Sequence, residues 1–141
     1  VHHPGTHNAH PLSAAAGRAT LALLGDGAVQ ATADAPAARL REALAAVLQR
    51  HGVPGLVHGS SSTFIMLLGT EGPLDRLDPA TLKRGTSGTL ADELHCGMLL
   101  EGVHLFHACG FVGTAHTDAD LERTVAALDA VVPQLQAQEL L

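Results

Sequence analysis

Two short apolar runs in the middle of the chain constrain its fold more than any other feature. The first is Leu56 to His58, and the second is Ser61 to Leu68, which is rich in β-branched and bulky side chains. A Gly-Ser link separates them, and Ser60 to Ser62, which lies outside any G-x-S-x-G sequence, is interpreted as a turn. The pattern predicts two strands, and their short length favours an antiparallel sheet.

Alanine-rich helices are predicted before these strands. The first runs from Pro11 to about Leu24, because proline is tolerated at the first helical position and Gly25-Asp26-Gly27 ends it. The second runs from about Ala35 to Arg50, with Asp34 as its cap, and Gly52 ends it. Four residues at helical spacing form its apolar face: Leu40, Leu44, Val47 and Leu48.

The segment after the strands has weaker periodicity. Gly69 to Gly88 carries Gly, Pro, Asp and Thr and is predicted to form a long surface loop. Thr89 opens a third helix that runs to about Leu100, and Asp92 would complete a variant capping box with Thr89. Two further short strands are predicted at Val103 to Leu105 and at Gly110 to Gly113.

The last helix is predicted to begin at a Thr117 cap, with Asp120 three residues later. We expect its apolar stripe to face strands that include Phe64, Met66 and Phe111. The stripe consists of Leu121, Val125, Leu128 and Val132. The predicted fold class is therefore α+β, a small antiparallel sheet of three or four strands with helices over one face and the other face free for a neighbour.

Composition excludes several classes of function. Eight Lys and Arg stand against fourteen Asp and Glu, and the only aromatic residues among Phe, Trp and Tyr are three Phe, which argues against nucleic-acid binding. No apolar run approaches the roughly 20 residues of a membrane helix, and the start does not resemble a signal peptide. Cys96 and Cys109 are expected to be reduced thiols of a cytoplasmic protein. The first residue, Val1, suggests that the chain begins inside a longer protein.

Histidines are the most conspicuous polar residues, ten in all. A metal site would use imidazoles, such as those of His104 and His107, and a thiolate. Their spacing does not match a helix face, and His95 and Cys96 diverge as sequence neighbours, so a metal site is not favoured. Cys96 or Cys109 paired with a histidine could also act as a nucleophile, but both are predicted to be small core residues. A stand-alone His-rich metal-binding or structural module remains the alternative function.

The start of the chain suggests an anion site. A Gly-Thr pair, Gly5-Thr6, leads through Pro11 into the first helix, and a hydroxyl with successive backbone N–H groups suits a phosphate. Residues 5 to 17 read G-T-H-N-A-H-P-L-S-A-A-A-G, which resembles the G-T-F-x-A-N-P-L-x-x-A-A-G stretch of class III pyridoxal-phosphate aminotransferases. The branch containing glutamate-1-semialdehyde aminomutase is the most similar.

Two later segments carry the same resemblance. Residues 99 to 105 read L-L-E-G-V-H-L, which is similar to the family's L-L-x-x-G-V-x-x. Residues 110 to 124 read G-F-V-G-T-A-H-T-D-A-D-L-E-R-T, which is similar to G-F-x-S-x-A-H-T-x-x-D-I-x-x-T. The resemblance implies the C-terminal small domain of a fold type I enzyme. Residues 1–30 would form the cofactor-phosphate loop and a connecting helix, and residues 31–141 the small domain.

The resemblance also implies site residues. Thr6 would bind the phosphate of pyridoxal 5′-phosphate in the neighbouring subunit's site, and Gly5 would bring its backbone close to the same phosphate. A homodimer with composite active sites follows, acting on a small amino or keto substrate. His10 stands where the family has Asn. The one lysine, Lys83, does not match the Schiff-base lysine, which lies upstream of the Gly-Thr motif, so the chain alone is expected to be inactive.

One departure bears on the reaction. Aminomutases of this branch have a longer loop before the G-F motif and a Glu shortly before it, where this chain has Ala108 within His107-Ala108-Cys109. Many other class III aminotransferases place an Arg in this region to hold a substrate carboxylate, and none is present here. An aminotransferase and an aminomutase therefore both remain open.

Overall fold

The structure, a computed structural model, describes residue 5, residues 10–86 and residues 88–141. Five α-helices, three strands and one short 3-10 helix make up this part of the chain. In chain order they are α1 (Pro11–Leu24), α2 (Ala28–Arg50), β1 (Gly55–His58), β2 (Thr63–Leu68), the 3-10 helix (Leu74–Arg76), α3 (Pro79–Arg84), α4 (Thr89–Leu100), β3 (Cys109–Phe111) and α5 (Asp118–Ala137). No helix in the described part is both long enough and apolar enough to cross a membrane.

Helix α1 has the predicted bounds, but α2 begins at Ala28 rather than Ala35. Asp34 therefore lies inside the helix, and the prediction that it caps α2 is wrong. The side chain of Asp26 accepts the N–H of Ala28 at 3.0 Å instead. Pro36 is accommodated within the helix, although proline removes one backbone hydrogen bond there. Burial of Ala33 and Ala37 on either side of it offsets that loss.

The C-termini of α2 and α4 are closed in the same way. Gly52 and Gly102 both have positive φ, +65° and +81°, a conformation that favours glycine. The N–H of Val53 donates to Leu48 O at 2.9 Å, and the N–H of Val103 donates to Met98 O at 2.8 Å. These six-to-one bonds satisfy carbonyl groups that would otherwise lack partners at the helix end. The predicted ends of both helices are thus confirmed.

The sheet is antiparallel, with strand order β1-β2-β3. Strand β2 begins at Thr63 rather than Ser61, because Ser61 lies in the hairpin turn with φ +50°. Arg41 of α2 holds this turn: its Nη1 donates to Ser61 O at 2.9 Å and to Thr63 O at 2.8 Å. The hairpin is therefore joined to the helix that covers it.

The last strand lies slightly earlier than predicted, and the strand expected at Val103 to Leu105 is absent. Phe106 and Cys109 exchange two backbone hydrogen bonds across a two-residue turn, which leads directly into β3. Gly110 of β3 lies under the Phe64 ring, where an added Cβ would be 2.7 Å from two ring carbons. Glycine is thus needed for the close approach of β3 to β2.

The segment from 69 to 88 was predicted to be a loop but contains a helical turn and a short helix. Asp78 begins α3, accepting the N–H groups of Ala80 and Thr81, and Pro79 occupies the first turn. At α4 the residue before the helix is Gly88, without a side-chain cap, so the predicted capping box of Thr89 with Asp92 is wrong. Thr89 is the first helical residue, and its hydroxyl cannot take the capping position.

One apolar core joins the helices to the sheet. The inner face of β2 presents Phe64, Met66 and Leu68 to this core, α2 packs on the sheet, and α5 joins the same core through Leu128 and its neighbours. Val125 of the predicted stripe is only half-buried. Phe111, which lies on one of the strands that the stripe was expected to face, is 68% exposed and does not itself contribute to the core. It pairs with Thr63, and both side chains lie on the opposite face of the sheet from Phe64.

Helix α5 begins as predicted. The Thr117 hydroxyl accepts the N–H of Asp120, and the Asp120 carboxylate accepts the N–H of Thr117, so a complete capping box is present. These hydrogen bonds from Thr117 hold the pKa of the Asp120 carboxyl below its ordinary value.

An ionic cluster ties α5 to the end of α2. Arg50 donates to both carboxylate oxygens of Asp129 at 3.0 Å, and His51 Nε2 lies 2.7 Å from Asp129 Oδ1. Gln136 donates to His51 O at 3.1 Å. The hydrogen bond from His51 is the main reason that the pKa of Asp129 lies below its ordinary value, and Arg50 adds to it.

The core predicts the cost of truncating Leu128. This side chain is fully buried, so Leu128→Ala should lower the free energy of unfolding by roughly 2–5 kcal/mol. Urea denaturation followed by circular dichroism measures the change. Leu100→Ala is the control, since Leu100 is 87% exposed, and a loss at Leu128 no larger than at Leu100 would contradict this packing.

The ionic cluster predicts that Asp129 contributes to the stability of the fold in a way that depends on pH. Because its folded pKa is depressed, the carboxylate stabilises the fold above its unfolded pKa of about 3.9, and this contribution disappears as pH falls through the lower folded value. Asp129→Asn should lower the urea midpoint at neutral pH, and the difference from the unsubstituted chain should shrink below about pH 4. Glu42→Gln, an exposed charge change on α2, should show no such convergence.

Candidate functional site

The predicted phosphate loop lies only partly within the described residues. Gly5 is described and is exposed, whereas Thr6 lies outside the described residues. The structure does describe the helix that the loop enters: Pro11 opens α1, whose first turn contains no acidic residue. The first backbone N–H groups of a helix have no partners within the helix, so this end of α1 suits an anion.

Helix α1 is unlike the other long helices, because none of its residues is buried. Leu12, Leu21 and Leu23 are 74%, 71% and 75% exposed. The helix is joined to α2 by the turn at Gly25–Gly27, where Gly27 N donates to Leu24 O at 3.2 Å. An apolar helix of this kind gains no burial from the described fold.

Lys83 lies on α3 and is exposed, in agreement with its interpretation as a solvated lysine. It borders a cavity of about 480 Å³ between the outer face of the sheet, α3, the start of α4 and the turn at 106–109. Ile65, His107 and Cys109 also line this cavity. The exposure of Lys83 leaves its ammonium group in contact with water, unlike the desolvated lysine of an activated nucleophile.

The cysteines differ in their surroundings. Cys96 is exposed on α4, so its predicted place in the core is wrong, while Cys109 is half-buried and its Sγ donates to Phe106 O at 2.8 Å. Burial raises the pKa of the Cys109 thiol, which makes it a poorer nucleophile at neutral pH. Both thiols are free in the structure.

The later histidines do not form one cluster. The rings of His95 and His104 meet edge to face at 5.2 Å between centroids, and His107 packs in the same way on Phe106. His116 lies apart, with its Nδ1 2.9 Å from the N–H of Gly113. Among the described residues, no three His, Cys, Asp or Glu side chains converge as metal ligands.

A second cavity, of about 220 Å³, lies between β3 and α5 and was not anticipated. Arg123 and His116 stand at its rim, and Phe64 and Leu105 form part of its wall. In the sequence, this stretch carries only a helix cap and a family motif. The two basic side chains are seven residues apart and on different elements, so no local spacing marks them as one site.

Solved structures show where this fold occurs. An omega-transaminase from Sphaerobacter thermophilus superposes with a TM-score of 0.76 and 24% identity, over 96% of this chain and 31% of that one. A β-phenylalanine aminotransferase from Variovorax paradoxus superposes with a TM-score of 0.70 and 26% identity, over 97% of this chain and 31% of that one. The fold is that of the C-terminal part of fold type I pyridoxal-phosphate enzymes.

Sequence relatives narrow the comparison from fold type I enzymes in general to one group of them. Glutamate-1-semialdehyde 2,1-aminomutases of Akkermansia muciniphila and Thermus thermophilus are 31% identical over 131 residues and 35% identical over 133 residues. Each alignment covers 91% of this chain and 30% of the relative. No family model matches the chain. The chain is similar over most of its length to a portion of class III aminotransferases and glutamate-1-semialdehyde aminomutases, and it spans about 30% of the length of the curated relatives it matches.

The two thiols should differ in reactivity. Cys96 is exposed, whereas Cys109 is half-buried and has a raised pKa, so less of it is thiolate at neutral pH. With a chromogenic disulfide reagent at about pH 7, Cys109→Ser, which keeps only Cys96, should react several-fold faster than Cys96→Ser. The two rates should converge in denaturant, and equal rates in the folded chain would contradict the described burial.

Proposed function

We propose that the chain is the cofactor-phosphate loop and small domain of a pyridoxal-phosphate-dependent aminotransferase or aminomutase. The observation that carries the proposal is the joint match of sequence and fold: the aminomutase relatives align over 91% of the chain, and transaminase structures superpose over 96% of it. Two of the similar structures are a transaminase with PLP bound and a glutamate-1-semialdehyde aminomutase in complex with PMP.

Residues 1–30 would supply the phosphate loop and residues 31–141 the small domain. The division falls in the first turn of α2, next to the turn at Gly25–Gly27. What supports it is burial: α1 contains no buried residue, while α2 contributes six residues to the core. The three exposed leucines of α1 would then lie against the larger part of the enzyme, which removes them from water.

The start of α1 fits a phosphate group. A dianion requires several donors to offset its desolvation, and the first turn of α1 offers N–H groups with no acidic side chain beside them. Gly5 and Thr6 precede this turn, so the backbone at Gly5 and the hydroxyl at Thr6 would complete the donor set. When bound, the cofactor supplies an electron sink for chemistry at the substrate's amino carbon. This chain's part is to hold the phosphate and orient the ring.

The phosphate loop is proposed to serve the neighbouring subunit's site. The enzyme would then be an obligate homodimer, because each cofactor needs donors from two chains. A lysine anchor is not among this chain's contributions: Lys83 is exposed on α3 and lies far along the chain from the loop. The 141 residues alone should therefore show no amino transfer.

The turn before β3 bears on the substrate. Phe106 and Cys109 are closed by two backbone hydrogen bonds, and His107 at the turn has φ +54°. No Arg or Glu lies between residues 102 and 121. This turn therefore offers neither the guanidinium that would hold a substrate carboxylate in an aminotransferase nor the glutamate expected in an aminomutase. The proposal accordingly covers both amino transfer and aminomutation, with a small amino or keto compound as substrate.

Substitution of Thr6 gives the sharpest test. It is made in the full-length enzyme that the proposal implies, which includes the part that binds the cofactor. Thr6→Ala removes one hydrogen bond to a charged phosphate, worth roughly 1.5–3 kcal/mol, so cofactor affinity should fall by roughly 10- to 150-fold. Absorbance titration with pyridoxal phosphate measures the affinity, and Thr6→Ser should be much milder because it keeps the hydroxyl.

Thr20→Ala is the matched control. It makes the same chemical change on α1, where the Thr20 hydroxyl donates to Ala16 O at 3.0 Å and is exposed. This variant should leave cofactor affinity unchanged. Equal affinities for Thr6→Ala and Thr20→Ala would remove the cofactor role of Thr6, and the motif would then be an ordinary helix entry.

A further inference from the structure

The cavity between β3 and α5 has an apolar wall and a polar rim. Phe64, Leu105 and Val112 line it and are all buried. Arg123 and His116 stand at the mouth and are exposed. Its volume of about 220 Å³ is enough for a small organic molecule but not for a peptide.

The tautomer of His116 follows from its hydrogen bond. The backbone N–H of Gly113 lies 2.9 Å from His116 Nδ1, and a backbone N–H can only donate. Nδ1 also lies 3.3 Å from Gly113 O, but the N–H contact is the shorter of the two. We assign Nδ1 as the acceptor on that basis, which places the proton of the neutral ring on Nε2. The ring thus has one N–H donor that the Gly113 contact does not use.

Arg123 supplies the second set of donors. Within the described part of the chain its guanidinium forms no hydrogen bond or ion pair. The guanidinium lies over Gly102, where an added Cβ would be 3.2 Å from Nη1. A side chain at position 102 would therefore displace the guanidinium from its position over the backbone.

The carboxylate at the rim, Asp120, already accepts hydrogen bonds from within the chain. Asp120 Oδ2 accepts the N–H and the hydroxyl of Thr117, both at 2.7 Å. Its negative charge remains near the mouth, together with Arg123, His116 and the ring of His104. Asp120 repels any anion, but it repels a dianion such as phosphate about twice as strongly as a monoanion, so a single carboxylate is favoured over phosphate.

We propose that this cavity binds a small aliphatic carboxylate, with its carboxylate on Arg123 and His116 Nε2 and its alkyl chain against Phe64, Leu105 and Val112. The Arg123 guanidinium and His116 Nε2 have no hydrogen bond within the described residues, and the wall behind them is apolar. None of the residues that line the cavity belongs to the predicted phosphate loop, and the proposal does not depend on the proposed function.

Butyrate is the probe, titrated into the chain in the absence of pyridoxal phosphate. Nuclear magnetic resonance shifts of the Gly113 N–H and the His116 ring should saturate, with a dissociation constant on the order of 1 mM. Butyramide has the same shape without the charge and should not bind measurably. Equal binding of butyramide, or of inorganic phosphate, would overturn the assignment to a carboxylate.

Arg123→Gln should weaken butyrate binding by at least about 10-fold, because it removes a charge-assisted pair of hydrogen bonds. Arg123→Lys keeps the charge but not the two-pronged geometry and should lie in between. Arg18→Gln makes the same charge change on α1, which does not line the cavity, and should leave binding unchanged. No saturation in the tens of millimolar, or equal weakening by Arg18→Gln and Arg123→Gln, would refute the site.

Discussion

The inner face of β2 is the surface on which the rest of the structure depends. Phe64, Met66 and Leu68 alternate along it, and each is buried in one core with residues of α2, α4 and α5. Two pairs of elements approach closely because one partner carries a glycine. Gly110 of β3 lies under the Phe64 ring of β2, and in the contact of α4 with α5 a Cβ on Gly97 would be 2.8 Å from Val131 Cγ1. Close packing of this kind leaves little room for substitution, because added atoms must displace buried neighbours.

Local signals predicted the fold well where the deciding interaction is itself local. The capping box of Thr117 and Asp120, and the positive-φ glycine after α2, both lie within a few residues of the feature they control. Predictions failed where distant residues decide. Asp34 was predicted to cap α2, but the helix begins at Ala28 and Ala33 is buried against the core. Val103 to Leu105 has strand-like residues, yet β2 pairs with Cys109–Phe111 instead.

The candidate site residues were likewise predictable only where the signal is local in the sequence. Gly5 and Thr6 were identified by a contiguous motif, which is visible in a sequence without any structure. The cavity at β3 was not, because Arg123 and His116 approach it from different segments, and the use of each depends on Gly102 and Gly113. The exposure of Cys96 was also unpredictable, since a small residue suits either face of a helix whose buried positions are Ala91, Leu94 and Met98.

The contrast between α1 and the rest of the chain links the fold to the proposed role. Helices α2, α4 and α5 bury their apolar residues against the sheet or against each other, so residues 28–141 hold a continuous core without α1. Helix α1 instead keeps three leucines in water, an arrangement that the described fold does nothing to stabilise. A connecting helix that lies on a larger body gains that burial, and with it a fixed orientation for the loop at its N-terminus. Since a phosphate held by backbone N–H groups requires fixed donors, docking of α1 and cofactor binding should be one coupled event.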